Sequence, residues 1–434
     1  MSVPIQRPPH DTLWAVDCPC SRHLRPARPK TPLSWLPMTR STTRLRWLWG
    51  VLLALIALAL TVQVTGHGYL WRAIAATYLQ GHATAHIDDA SNFPSREIEA
   101  GTEQPWPHAA RYNHQPLSSE LLAYLQRYGT AAFLVAHQGK LLHEQYFAPY
   151  DANSRTNSFS VAKTITTLQM GLAVQQGVIS SFDALLTERL PEYAQDPRGR
   201  QATVSQLSSM KAGHDWTEHY YLPLNITTDL YFGRHAAELV LSRGFERDPG
   251  SAFEYSSGST QLLGVFLQRA LAARTPSLTI SEHLSRSLWK PLGMSRSALY
   301  TLDREAEAGG IERTYCCIFA TARDFAKLGQ LLLQDGQWQG QTILDRAFVE
   351  RLRQPDLVPY YGHSLWMDWQ YKHPFYLMQG HQGQYVIVVP SHQLVVVRLG
   401  QFRNKADKGP NGITPSEVYR FVDEAVAMVQ ARGA

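Results

Sequence analysis

Ser160 and Lys163 are the residue pair in this chain whose types and spacing best suit nucleophilic chemistry. They stand in Ser160-Val-Ala-Lys163, directly before an apolar stretch with helical spacing. Residues three apart share one face of a helix, with Cβ atoms about 5–6 Å apart, so the lysine amine can take the serine proton. Free N–H groups at the start of that helix would stabilise negative charge on a carbonyl oxygen. We predict that Ser160 is a nucleophile and Lys163 its base.

The same four-residue pattern occurs twice more, as Ser208-Ser-Met-Lys211 and Ser287-Leu-Trp-Lys290. The first runs into Ala212-Gly213 and the second into Pro291, and both continuations end helices, where backbone carbonyls gather. We interpret these two copies as structural. An isolated pattern of this kind is most often an ordinary helix start with a solvated lysine, so a catalytic interpretation of the first copy needs further elements.

Two other segments supply such elements. Tyr255 and Ser257 follow Pro249-Gly-Ser in a loop directly before an apolar helix, so the phenol can reach into a cleft. Gly380-His381-Gln382-Gly383 is a glycine-rich bend before a strand, where small residues let a backbone N–H approach a bound ligand. That N–H is a candidate donor to an oxyanion.

Strand patterns occur on both sides of the segment that contains these residues. Residues 131–137 and 141–147 form a hairpin pattern around a Gln-Gly-Lys turn, and residues 376–379, 385–389 and 394–399 form strand patterns near the end of the chain. Helical patterns cover 117–128, the middle of the chain and a last segment that opens with Thr414-Pro-Ser-Glu. We predict an α+β fold with one antiparallel sheet, flanked by terminal helices, and an inserted helical subdomain.

Taken in order, Ser160-x-x-Lys163, Tyr255-x-Ser257 and His381-x-Gly383 resemble the motifs of the serine β-lactamase and penicillin-binding-protein family. The pattern is most similar to the class C branch, with its esterases and 6-aminohexanoate-dimer hydrolases. The resemblance covers about residues 115–430 and implies a β-lactamase-like fold.

The resemblance implies a serine hydrolase that cleaves an amide or ester bond through an acyl-enzyme. Ser160 would attack the carbonyl carbon, Lys163 would assist its deprotonation, and Tyr255 would relay protons to the leaving group. The backbone N–H groups of Ser160 and Gln384 would hold the oxyanion.

Four further residues are candidates for substrate binding: Tyr220, Ser257, His381 and Gly383. Tyr220 lies in a segment similar to one that supplies a second active-site tyrosine in the amide-hydrolase branch, although a packed aromatic is an equally good interpretation. Ser257 and His381 stand where β-lactamases of the family carry an asparagine and a lysine. A histidine is mostly neutral at pH 7, so we expect no fixed charge there for a substrate carboxylate.

That departure favours a general amidase or esterase over the alternatives, a β-lactamase or a D-alanyl-D-alanine carboxypeptidase. It also leads us to expect weaker binding of carboxylate-bearing substrates, relative to neutral ones, as the pH rises from 5 to 8. A further alternative is a non-catalytic protein of penicillin-recognising type that acts as a binder or sensor. The complete set of serine, lysine and tyrosine argues against it.

The N-terminal region predicts membrane attachment. We expect residues 1–46 to form a disordered, basic cytoplasmic lead rich in proline, residues 47–65 a transmembrane anchor, residues 66–114 a connector and residues 115–430 the hydrolase domain. Arginines precede the apolar run, which orients the N-terminus to the cytoplasm. We therefore predict a single-pass protein of a bacterial inner membrane with its catalytic domain in the periplasm. Initiation at Met38, a cleaved anchor and a buried core helix remain alternatives.

Composition limits the other partners. The net charge of +5 comes largely from arginines before residue 50, and no basic stripe interleaved with aromatics follows, so we predict no nucleic acid partner. Neither His-Glu-x-x-His nor His-x-x-Glu-His occurs among the 17 histidines, so we predict no metal and no cofactor, with a small amide or ester as the substrate. Cys316 and Cys317 are expected to be small packed side chains without a disulfide.

Overall fold

The structure is a computed structural model that describes residues 40–431. The chain divides into two compact units, one up to Ala59 and one from Leu60 onwards. Helix α1 (Arg40–Val64) begins within the predicted basic lead, and its Arg44–Val64 portion is long and apolar enough to cross a membrane by length and composition. The lead up to residue 39, including the alternative start at Met38, lies outside the described residues.

The helices of the described chain differ widely in length. They are α1 (Arg40–Val64), α2 (Tyr69–Ala76), α3 (Ser119–Arg127), α4 (Val161–Gln175), α5 (Val204–Ser208), α6 (Ile226–Phe232), α7 (Ala236–Leu241), α8 (Ser257–Arg274), α9 (Ile280–Leu284), α10 (Ala322–Leu333), α11 (Arg346–Leu352) and α12 (Ser416–Gln430).

The strands are mostly short. They are β1 (Ser95–Ile98), β2 (Thr130–His137), β3 (Lys140–Tyr146), β4 (Thr156–Asn157), β5 (Ala298–Thr301), β6 (Ile318–Ala320), β7 (Gln337–Trp338), β8 (Gln341–Thr342), β9 (Trp366–Asp368), β10 (Phe375–Gly380), β11 (Gln384–Val389) and β12 (Leu394–Gly400).

The main sheet is antiparallel and has the order β3-β2-β12-β11-β10-β9, so strands from both ends of the folded region pair with each other. Strands β2, β11 and β12 are buried along their whole length, which explains their nearly continuous apolar sequences. Gln138 and Gly139, both with positive φ, make the tight turn of the predicted hairpin. The prediction that both chain ends share one antiparallel sheet is confirmed.

Helices cover both faces of this sheet. On one face, α3 and α12 bury a cluster that includes Leu125, Phe133 and Phe421. On the other face α10 packs so closely that a Cβ at Gly329 would lie 2.7 Å from a methyl of Val395. Helix α12 begins at Ser416, two residues after Thr414, the residue with which the predicted helical segment opens.

The protein contains a second sheet that the sequence patterns do not predict. Its four strands pair in the order β1-β5-β6-β4. Two of them, β5 and β6, lie within the segment predicted to be helical. These strands have two to four residues, too few for a period-2 pattern to be visible.

Residues 66–114 do more than connect. Ile87 and Ile98 are fully buried in the main hydrophobic cluster, β1 is an edge strand of the second sheet, and Tyr69 and Trp106 are at least nine-tenths buried. These residues therefore contribute to the core of the folded unit, in addition to the predicted role of a connector.

Candidate active site

Helix α4 positions the predicted nucleophile and base. Ser160 is the N-cap residue of α4, and the helix ends at Gln175, two residues before Gly177, whose φ is 66°. The helix is buried along nearly its whole length, so its first turn is held rigidly. Ser160 remains partly exposed, whereas the side chain of Lys163 is almost completely buried.

The amine of Lys163 has three hydrogen-bond partners. Its Nζ lies 3.1 Å from Ser160 Oγ, 3.0 Å from Ser257 Oγ and 3.1 Å from the carbonyl oxygen of Tyr315. Burial lowers the pKa of Lys163 from 10.5 to about 8, against an opposing Coulomb interaction with Glu218. This change raises the neutral fraction of the amine at pH 7 by roughly 300-fold. Lys163 is thus poised to accept a proton.

Tyr255 reaches the same point from the loop before α8. Its phenol interacts with Ser160, and Lys163 Nζ lies 5.1 Å from the centre of its ring. Burial raises the pKa of Tyr255, so at neutral pH the phenol carries its proton and is a donor. The structure therefore brings the serine, the lysine and the tyrosine together.

Glu218, which the sequence analysis did not select, completes this network. Its carboxylate accepts hydrogen bonds from the hydroxyl of Ser257 at 2.6 Å, from the Ser257 N–H at 2.8 Å and from the indole N–H of Trp216 at 2.8 Å. Ser257 thus links the amine of Lys163 to a carboxylate. Glu218, two residues after Trp216, carries no local signal of this role, because the role depends on a contact with Ser257, 39 residues later in the sequence.

His381 packs against the residue that precedes the nucleophile. Its ring contacts Phe159 and Tyr220, with centroid distances of 5.4 Å and 4.9 Å. Burial, together with the charges of Lys405 and Arg403, lowers the pKa of His381 to about 3. A lowered pKa agrees with the prediction that His381 is neutral at pH 7. It does not agree with the expected change in carboxylate binding between pH 5 and 8, because a histidine with this pKa does not change its charge in that range.

The same residues correct the expectation that the site lacks a fixed positive charge. Lys405 contacts the Tyr221 hydroxyl, and its Nζ lies 3.9 Å from the centre of that ring. The Tyr221 hydroxyl lies 3.4 Å from His381 Nε2. Cations from the loop after β12 therefore stand beside the histidine that replaces a lysine in the motif.

The glycine-rich bend has the predicted shape. Gln382 and Gly383 have φ of 60° and 86°, and a Cβ at Gly383 would lie 2.6 Å from the guanidinium of Arg398. Arg398 donates hydrogen bonds to the carbonyl oxygens of both residues, at 3.0 and 2.9 Å. Gly383 thus gives room to a buried arginine that holds the bend. The predicted oxyanion donor, the N–H of Gln384, belongs to the first residue of β11.

A mostly apolar cavity opens at the nucleophile. It encloses about 480 Å³, counting its open mouth, and its lining includes four predicted site residues, Ser160, Tyr220, Ser257 and His381. Gly383 and Gln384 do not line it. The remaining lining is largely aromatic and aliphatic, with Phe232 prominent.

The two other copies of the serine-lysine pattern are structural, as predicted. Lys211 forms an ion pair with Asp356 at 2.6 Å, and Lys290 forms one with Glu99 at 2.7 Å. Neither lysine contacts the serine three residues before it, because its amine is engaged with a carboxylate on another segment.

The cysteine prediction is wrong. Cys316 and Cys317 are joined by a disulfide, with Cα atoms 3.7 Å apart and a positive φ of 75° at Cys317. Cys316 lines the cavity directly after Tyr315, whose carbonyl oxygen accepts a hydrogen bond from Lys163. Within residues 40–431, no group of three or more histidine, cysteine, aspartate or glutamate side chains is placed to hold a metal ion.

Comparison with known proteins agrees with this geometry. A family model described as beta-lactamase matches residues 119–412. A 6-aminohexanoate-dimer hydrolase of Paenarthrobacter ureafaciens is 28% identical over 237 residues, which cover 51% of this chain and 56% of that protein. The chain thus spans little more than half the length of this relative.

Two solved structures share the fold. One, from Bacillus anthracis and named as a candidate 6-aminohexanoate-dimer hydrolase, superimposes with a TM-score of 0.64 at 22% identity, covering 78% of this chain and 91% of the other. A family VIII carboxylesterase has a TM-score of 0.52 at 16% identity, covering 72% and 99%. The predicted α+β fold is confirmed by these likenesses.

Proposed function

Because the chain belongs to the beta-lactamase family of serine hydrolases, we propose that it hydrolyses an amide or ester bond through an acyl-enzyme on Ser160. The observation that carries the proposal is the contact of Lys163 Nζ with Ser160 Oγ at 3.1 Å, with the Tyr255 phenol facing the same hydroxyl. A nucleophile, a base and an acid thus meet at one atom.

The lowered pKa of Lys163 suits it to accept a proton, and the raised pKa of Tyr255 suits it to donate one. The neutral amine of Lys163 takes the hydroxyl proton as Oγ bonds to the carbonyl carbon, and the resulting ammonium is stabilised by Ser257 and Glu218. The protonated phenol of Tyr255 then donates to the departing nitrogen or oxygen, and Lys163 returns the proton to the phenol. Water attacks the acyl-enzyme by the reverse transfers, which releases the acid.

The backbone N–H groups of Ser160 and Gln384 are the proposed oxyanion donors. Ser160 is at the start of α4, where free N–H groups and the helix dipole favour negative charge. Removing one such donor in other enzymes costs about 3–4 kcal/mol of transition-state stabilisation. Tyr220, Ser257 and His381, which line the cavity, are proposed to contact the substrate, and Gly383 to shape the bend beside them.

One observation favours a second candidate, a β-lactamase or a D-alanyl-D-alanine carboxypeptidase. Arg403 and Lys405 lie near enough to His381 to lower its pKa, so a substrate carboxylate would find a positive charge at this end of the cavity. Hydrolysis of a β-lactam at a rate comparable with that of neutral esters would support this candidate.

A membrane-anchored form is part of the proposal. Its support is the apolar stretch Arg44–Val64, preceded by basic residues, which orients the N-terminus to the cytoplasm and the hydrolase domain to the periplasm of a bacterial inner membrane. Cofractionation with membranes after high-salt and carbonate washes, with a domain cleaved by protease only from the periplasmic side, tests this arrangement.

The catalytic test uses the full chain in detergent. Wild type is expected to hydrolyse short neutral esters and anilides and to be labelled by a fluorophosphonate, whereas Ser160→Ala loses both properties. Ser287→Ala is a matched control, because it alters a copy of the same pattern whose hydroxyl only accepts a hydrogen bond from Gln176. Equal turnover by wild type and Ser160→Ala would reject the proposal and favour a non-catalytic binder or sensor.

A further inference from the structure

A second depression, here called the apolar groove, adjoins the cavity at Ser160. The groove encloses about 360 Å³ and shares four lining residues with the cavity: Thr84, Tyr220, Thr228 and Phe232. Ala73, Thr77, Tyr78 and Ala83 line the groove and not the cavity. The groove therefore lies beside the cavity of the nucleophile, on its α2 side.

The walls of the groove are fixed to each other. The Tyr69 hydroxyl donates to the Pro223 carbonyl at 3.2 Å, the Arg72 guanidinium donates to the Phe232 carbonyl, and the Thr228 hydroxyl donates to the Leu222 carbonyl at 2.7 Å. These contacts join α2, α6 and the loop between α5 and α6. The groove is thus preformed in the protein without a ligand.

The rim of the groove exposes large apolar side chains. Leu222 and Tyr221 are about half exposed, and Tyr78 is 63% exposed. Adjacent large apolar side chains of this kind usually mark a site where a ligand or partner covers them. Because the groove shares four lining residues with the cavity of the nucleophile, the substrate itself is the ligand that best fits this position.

The position of Tyr255 assigns the groove to one side of the scissile bond. Tyr255, the proton donor to the leaving group, does not line the cavity or the groove, and its ring contacts Tyr361 and Trp366 instead. The leaving group therefore departs on the Tyr255 side. The acyl group, which stays bonded to Ser160, extends on the Tyr220 and Phe232 side.

We propose that the apolar groove binds the alkyl chain of the acyl group, so that the preferred substrates are esters or amides of medium-chain to long-chain carboxylic acids. This inference rests on the proposed hydrolase function and names its substrate class. Each methylene that is fully buried contributes up to about fourfold to kcat/KM, and a half-open groove gives about twofold.

The test measures kcat/KM for p-nitrophenyl esters from C4 to C10, below their aggregation limits, with the full chain in detergent. Wild type is expected to prefer C10 over C4 by more than about 30-fold. Ala83→Trp, which places a large side chain in the groove outside the cavity of the nucleophile, should lose at least about tenfold on C10 and stay within about twofold on C4. Ala75→Trp, an equally exposed position on α2 outside the groove, is the matched control and should match wild type.

A binding measurement separates this inference from the proposed function. In Ser160→Ala, a dansylated undecanoic acid should bind with increased fluorescence and should not bind when Ala83→Trp is added. If hydrolysis depends on Ser160 but the ratio of kcat/KM for C10 to that for C4 is the same in wild type, Ala83→Trp and Ala75→Trp, the groove assignment is overturned and the hydrolase proposal stands. Probe binding that is sensitive to Ala83→Trp in a protein without any esterase activity would support the groove and reject the hydrolase.

Discussion

Substitution of Glu218 by glutamine should move the pH dependence of hydrolysis to lower pH. The Lys163 Nζ lies 3.0 Å from Ser257 Oγ, which lies 2.6 Å from Glu218 Oε1, so the two charges are less than about 6 Å apart. At an effective dielectric constant near 20 such charges attract by about 3 kcal/mol. Since about 1.4 kcal/mol corresponds to one pKa unit, removing the carboxylate charge should lower the pKa of Lys163 by about one to two units.

The pKa of Lys163 should fall in Glu218→Gln for two reasons that act together. The Coulomb interaction with Glu218 raises the pKa of Lys163, and Glu218→Gln removes it. The glutamine amide would also donate to the Ser257 hydroxyl, which then has to point its own proton towards a neutral amine of Lys163. Both changes favour the neutral base.

The assay is kcat/KM for a neutral anilide between pH 5 and 10, which reports the ionisation of the free enzyme. For wild type the activity should rise with a midpoint near pH 8, the pKa of Lys163. For Glu218→Gln the midpoint should lie at least about one pH unit lower, with a reduced plateau because the base is weaker. Glu246→Gln, at an exposed loop position, is the control. An unchanged or higher midpoint in Glu218→Gln would refute both the role of Glu218 and the assignment of Lys163 as the base.

Three further predictions follow from the same geometry. Tyr255→Phe should lower kcat by about 10²–10⁴-fold with KM within a few-fold, because the protonated phenol is the general acid, and circular dichroism should show an intact fold. Gly258→Ala places a Cβ 2.3 Å from the ring of Trp216, whose indole N–H donates to the Glu218 carboxylate. It should therefore cost about 1–3 kcal/mol in the free energy of unfolding and move the midpoint of the pH dependence of kcat/KM. Arg403→Gln combined with Lys405→Gln should raise KM for carboxylate-bearing substrates at least about fivefold relative to neutral ones, whereas wild type should show a constant ratio from pH 5 to 8.

The sequence predicts those parts of the molecule whose cause is local. The hairpin at Gln138 and Gly139 follows from turn chemistry, and the strands β11 and β12 follow from long runs of β-branched residues. Helix α4 and its first-turn pair follow from apolar spacing and from the position of Ser160 at the helix start. In each case the residues that determine the structure are close together in the sequence.

The parts that the sequence does not predict depend on contacts between distant segments. The second sheet joins β1 to β5 across about 200 residues, and no single strand in it is long enough to show alternation. Glu218 is recognisable only once the fold places it against Ser257. The Cys316–Cys317 bridge likewise depends on the unusual backbone at the second cysteine.

The charge beside His381 illustrates why a motif substitution should be judged in space. Read along the sequence, the exchange of a lysine for a histidine removes a cation from the site. In the folded protein burial lowers the pKa of that histidine, and Lys405 and Arg403, 22 or more residues later, lie close enough to lower it further. The site therefore retains positive charge at a different point, displaced towards the loop after β12. We infer that the exchange relocates the point at which an anionic substrate group can bind, from residue 381 itself to Arg403 and Lys405 beside it.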